Sequence, residues 1–179
     1  VAFYYHQGAY YQKTFGKHGE LSNPHTYGYL PGILHQKYAR VTNSIMMYEG
    51  GELPARFNGA MVFANPLTLG VGSYRPKLEG LNFSVAPNGI VDVRKDDKWF
   101  CPVYVDAGPD GALYVCDWYD EQCNHLKHSE GQLHANDGRL FRIRAREGTV
   151  LKQFDLSKLT VLELLEHLKS SNRWWREEA

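Results

Sequence analysis

Between Val103 and His125 the chain reads VYVDAGPDGALYVCDWYDEQCNH, and its second half collects residue types that do chemistry: Asp117, Trp118 and Tyr119 in a row, then His125. An imidazole titrates near pH 6.5, so His125 is the candidate general base, with Asp117 as the carboxylate at the same strand exit. Trp118 and Tyr119 combine flat apolar faces with polar tips, suited to stacking on a sugar ring. Each has a structural alternative. Asp117 could cap a backbone turn, and the two aromatics could wedge between sheets.

Further residues extend the set. NHLKHSEGQLHANDGR places His125, His128, His134 and Asp137 at H-x-x-H and H-x-x-D spacings, a loose pattern for a transition metal, and Asp137 is equally the turn residue before Gly138. Arg139 follows that turn, and its planar fork suits a carboxylate or an anionic cofactor. Arg142 and Arg144 read as edge-strand charges that block aggregation. His35 follows a Pro-Gly turn in LPGILHQ, and Arg56 precedes a strand in ELPARFNGA; both are site candidates or loop structure. The sequence contains no G-x-S-x-G elbow, dinucleotide or phosphate-loop fingerprint, or H-E-x-x-H. Hydrolysis by a pair of carboxylates stays open through Asp117, Asp120 or Glu121, though their crowding in one short stretch argues against opposed positions around a sugar.

These residues need rigid elements to hold them. NGAMVFAN (58–65) and DGALYVCD (110–117) repeat glycine, alanine, an apolar run and a final amide or acid, with the glycines 52 residues apart. That offset is close to the repeat length of β-propeller blades. PNGIVDV and DGRLFRI open in the same way, each with the strongest short-range hairpin signal. Alternation predicts strands near 44–48, 59–65, 69–75, 81–85, 90–94, 102–107, 112–117 and 139–144, with a further one at 149–154. Eight or nine strands fill about two four-stranded blades, so the fold class is an all-β meander.

The first forty residues are rich in Tyr, Gly and His and weakly periodic, as a long loop would be. From Asp155 the pattern becomes helical, with Leu or Val at 159, 161, 162, 164, 165 and 168, Ser157 as N-cap, a Ser-Ser-Asn break, and a second helix from about Arg173. This divides the chain into 1–154, part of a β-propeller, and 155–179, the start of an α-solenoid. Acidic and basic residues number 20 each and no basic cluster stands out, which argues against nucleic acid as a partner. No apolar run approaches bilayer-spanning length. Cys101, Cys116 and Cys123 fit no zinc or haem spacing, although Cys101 and Cys116 could approach across the hairpin. A first residue of Val and a last helix cut short suggest a segment of a longer protein, with any signal peptide upstream.

CPVYVDAGPDGALYVCDWYDEQCNH, then DGRLFRIRA, then the Leu-rich helix ending LKSSNRWWREEA, resembles large bacterial proteins, abundant in planctomycetes and their relatives, labelled membrane-bound dehydrogenases. The likeness is strong over 99–179 and looser over 27–98. Those proteins carry a six-bladed propeller similar to pyrroloquinoline-quinone (PQQ) glucose/sorbosone dehydrogenases, then HEAT-type helical repeats, and often a c-type cytochrome domain. The resemblance implies that this chain is the C-terminal part, about two blades, of such a propeller, in the periplasm or secreted. It implies PQQ as cofactor with a Ca²⁺ ion nearby, a sugar or small alcohol as substrate, and electrons passed to a cytochrome c domain of the same or a partner protein, the haem lying outside this chain. Asp117, His125 and Arg139 fall at the family's D-W-Y, H and G-R-aromatic-R positions and His35 at its P-G-x-x-H loop; Arg139, Arg56, Trp118 and Tyr119 are the cofactor-facing candidates. The competing expectation is a non-catalytic propeller that binds carbohydrate or protein on its aromatic rim.

Overall fold

The computed structural model describes residues 43–80, 82–93, 96–120, 136–148 and 153–179. Its strands form two antiparallel sheets. In the first, β1 (Asn43–Tyr48), β2 (Ala60–Asn65), β3 (Gly70–Glu79) and β4 (Asn82–Val93) lie in sequential order. In the second, β5 (Pro102–Ala107), β6 (Leu113–Asp117) and β7 (Arg139–Ile143) do the same. Such meanders follow from short turns between alternating runs.

Period-2 alternation decides which faces meet. Val62, Ala64 and Val71 of the first sheet share one core with Val105, Leu113 and Val115 of the second, closed by Tyr48, Phe57 and Phe100. Two polar ties fix the packing. The Ser44 hydroxyl donates to the Val105 carbonyl at 3.0 Å and accepts its N–H at 3.2 Å, at a point where β1 bulges against β2. The Tyr48 hydroxyl donates to the Gly111 carbonyl at 2.7 Å and accepts from the N–H groups of Glu52 and Leu53. Gly111 has φ +74°, and an added Cβ would stand 2.2 Å from the Gly50 carbonyl oxygen, so only glycine fits this crossing.

The two repeat segments form matching second strands. Gly59 and Gly111 both have positive φ, Ala60 and Ala112 are both buried, and Asn65 and Asp117 both end a strand by accepting a backbone N–H two residues on. The segment PNGIVDV departs from expectation. Residues 82–93 form one strand rather than two, and Asn88-Gly89 forms a bulge opposite Ser73, with Gly89 at φ +96°. The Asn88 side chain donates to the Ser73 hydroxyl, which itself donates to the Gly89 carbonyl, so local side-chain bonds favour the bulge over a reversal. The reversal falls earlier, where Glu79 pairs with Asn82 and Gly80 takes φ +61°.

The helical part also starts later than expected. Residues 156–158 form a 3-10 turn whose cap is Asp155, and Ser157 donates to it instead of capping a helix itself. Helix α1 (Val161–His167) begins at Thr160, whose hydroxyl and backbone form a capping box with Glu163. Helix α2 (Arg173–Glu178) is capped by Asn172 and docks on the turns of both sheets. The Asn172 amide donates to the carbonyls of Gly108 and Pro109, the Trp175 indole donates to Pro109 at 2.8 Å, and the Arg173 N–H donates to the Glu49 carbonyl at 2.9 Å. The Arg176 guanidinium pairs with the Glu49 carboxylate. Val161, Leu162, Leu165 and Leu168 of the expected stripe are exposed.

Candidate functional site

Parity along β6 explains Asp117. Leu113, Val115 and Asp117 share the buried face, while Cys116 is exposed on the other. A carboxylate on a core face needs partners. Its Oδ1 accepts the N–H of Cys101 at 2.7 Å and of Tyr119 at 3.0 Å, and its Oδ2 accepts the Nε of Arg139 at 2.6 Å. β7 supplies that arginine because Arg139 is the register partner of Asp117.

Arg139 is held on three sides. Nη1 pairs with Asp97 at 2.8 Å, and the guanidinium carbon lies 4.2 Å from the Tyr119 ring centroid and 4.9 Å from that of Phe141. Its Nη2 is buried and has no hydrogen-bond partner among the described residues. Burial works against the guanidinium's charge, but the hydrogen bonds to Asp117 and Asp97 outweigh it and raise the pKa further. Asp97 had no sequence signal, because it is brought to Arg139 by the loop before β5. That loop is pinned where Asp97 accepts the Trp99 N–H at 3.2 Å.

The same anchor shapes the aromatic surface. Tyr119 takes φ +55°, an unusual conformation for a bulky residue, and is held there by the Asp117 cap on its N–H and by Arg139 on its ring. Its ring lies 5.9 Å from that of Trp99. Trp118, between the cap and this turn, donates its N–H to the Cys101 carbonyl and leaves its side chain 52% exposed. Asp120 follows as a buried carboxylate.

The structure thus brings Asp117, Trp118, Tyr119 and Arg139 together. Arg56 lies apart from them. It sits in a 3-10 turn before β2, its guanidinium over the Phe57 ring, while Tyr48 connects that end of the first sheet to Gly111. Gly111 precedes β6 and Asp117 ends it, so Arg56 belongs to the opposite end of the sheets. His125, His35, His128 and His134 lie outside the described residues.

Arg142, expected as a free edge charge, instead pairs with the buried Asp110 of the Pro-Asp-Gly turn. The β6–β7 pair is therefore fastened by an aspartate–arginine pair at each end. Cys101 and Cys116 are not joined in a disulfide across the hairpin: Cys101 is buried just before β5, while Cys116 is exposed on the outer face of β6. Among the described residues no group of three or more His, Cys, Asp or Glu could hold a metal ion, and no helix is long and apolar enough to cross a membrane.

The fold is that of a mostly antiparallel β protein with a few short helices, carrying an ion-paired aromatic rim at one end of its sheets. Residues 21–147 match the model of a family described as a domain of unknown function (DUF7133), and the chain belongs to that family. No curated protein and no solved structure matches it.

Proposed function

We propose that the chain is part of a β-propeller whose rim at Trp118 binds carbohydrate. The packing of the sheets supports the propeller. The first sheet turns its Val62 and Ala64 face toward the second, and the repeat equivalents of these residues, Tyr114 and Cys116, lie on the outer face of the second sheet beside the exposed Tyr104 and Leu140. Conversely, Leu113 and Val115 pack inward, and their equivalents Met61 and Phe63 lie on the outer face of the first sheet. Each sheet thus offers a neighbour the same pair of unlike faces, the heterologous packing that radial repetition uses. On this reading the helices open an α-solenoid beginning near residue 155, and the exposed apolar side of α1 is the face on which a following repeat would stack.

The observation that carries the binding role is Trp118, a half-exposed indole on a backbone fixed by the Asp117 and Arg139 anchor, next in sequence to Tyr119, whose own ring lies 5.9 Å from that of Trp99. A rigid aromatic platform loses little entropy when a sugar stacks on it. The dehydrogenase reading asks Arg139 to hold a carboxylate of PQQ. The fork does not fit that task, since Nε and Nη1 already serve Asp117 and Asp97.

The test is a tryptophan-fluorescence titration with neutral gluco-oligosaccharides. Wild-type protein should show saturable binding that Trp118→Ala weakens by about tenfold, with no change in melting temperature. No saturable response, or an unaltered one in the variant, overturns the reading.

A further inference from the structure

We propose that the cavity between α2 and the β5–β6 turn binds a small organic cation of the alkylammonium class, at a site separate from the Trp118 rim and independent of the carbohydrate reading. The cavity has a volume of about 400 Å³, within the range of small-ligand sites. Helical and strand periods bring its walls together. Trp174, Glu177 and Glu178 stand at i, i+3 and i+4, so they share one face of α2. From the second sheet come Asp106 and its register partner Tyr114, and Met46 and Pro109 line the cavity with them.

Charge decides what this space favours. Asp106, Glu177 and Glu178 line it with a single cation, Arg173, which leaves the lining net negative by two. The Arg173 Nε pairs with Glu177 at 2.6 Å, and the guanidinium's pKa is raised first by that hydrogen bond, with the charges of Glu177, Glu49 and Asp106 adding to it. Glu49 is itself matched by Arg176, so the charges of Asp106 and Glu178 remain in excess. Among the described residues no group of three or more His, Cys, Asp or Glu could hold a metal ion, so these carboxylates spread their charge around the space instead of converging on a point. Such a field suits a cation whose charge is itself diffuse and whose methyl groups can rest on Met46, Pro109 and Trp174.

The probes are choline and its neutral isostere 3,3-dimethylbutan-1-ol, titrated against the whole chain at low ionic strength and followed by ligand-observed NMR. Choline should bind saturably, and the isostere at least about tenfold more weakly. Asp106→Asn combined with Glu178→Gln makes the lining net neutral and leaves the Arg173–Glu177 pair intact; both positions are exposed, so the fold is retained. This double variant should bind choline about tenfold more weakly and no longer prefer it to the isostere. Trp118→Ala should leave choline binding unchanged. No saturable binding of choline, equal binding of the isostere, or a preference for choline that survives the double variant overturns the proposal. Loss of choline binding in Trp118→Ala overturns it as well, since the cation would then sit at the rim.

Discussion

Replacing Asp117 separates its two jobs. In Asp117→Ala the buried Cys101 N–H loses the carboxylate oxygen it donates to at 2.7 Å, at about 1–3 kcal/mol for a buried hydrogen bond removed from one side. The turn at Tyr119 also loses its cap, and Arg139 loses a charge-assisted bond. The latter counts for only about 1 kcal/mol, since the arginine side chain is 31% exposed and keeps Asp97. Together these give about 3 kcal/mol. For a chain of this size that corresponds to a fall of roughly 6–12 °C in melting temperature. Asp117→Asn keeps an oxygen for Cys101 and Tyr119 but sets an amide NH2 against the Arg139 Nε–H, so it should lose the ion pair and that one hydrogen bond while sparing the backbone caps, about 1–2 kcal/mol or roughly 2–8 °C. Urea unfolding and calorimetry on both variants measure the difference. A cost below about 1 kcal/mol for the alanine, or equal costs for the two, would refute the division of labour between Oδ1 and Oδ2.

Two further outcomes follow from other parts of the molecule. Burial, ahead of its other influences, raises the Tyr48 pKa, so the folded state favours the neutral phenol; the stability this gives is complete below about pH 10 and is lost as pH rises through the folded value. Tyr48→Phe should cost about 2–3 kcal/mol at neutral pH, because it strips the Leu53 N–H and the Gly111 carbonyl of their partner, and urea midpoints should then no longer carry this alkaline decline. The Asp155 carboxyl is held low first by the Ser157 hydroxyl, and that of Glu163 by the Thr160 N–H, so their caps are intact above about pH 4–5 and fail as pH falls through the lowered values. Far-UV dichroism should show helix loss on acidification below pH ~4, and Thr160→Ala should leave a smaller acid-dependent change.

Much of this architecture could be read from residue order. Pro-Asp-Gly between alternating runs located β5 and β6 because turn chemistry and strand period agreed there. Asn88-Gly89 carried the same signal and misled, since a glycine at positive φ serves a bulge as well as a reversal, and the choice between them lay in Ser73 on the neighbouring strand. The start of the helical part was misjudged by one turn because Asp155 and Thr160 both outcompete Ser157 as caps. At the rim, Asp117, Trp118, Tyr119 and Arg139 were identifiable from their positions at strand ends. The buried role of Asp117 was also implicit, as it shares parity with Leu113 and Val115. Asp97 was not accessible to such reasoning, because its contact with Arg139 depends on how a loop folds back across the sheet.

The docking of α2 on Gly108, Pro109 and Glu49 gives the molecule a polarity. Tension applied through the helices would enter at the turn end, divided between β1 and the β5–β6 hairpin through the Arg173 N–H, the Asn172 amide and the Trp175 indole. Trp118 lies beyond the far end of β6, about 15 Å along the strand from that attachment. Whatever the helices are fastened to would hold the sheets by one end like a handle, and the aromatic rim would face outward from it.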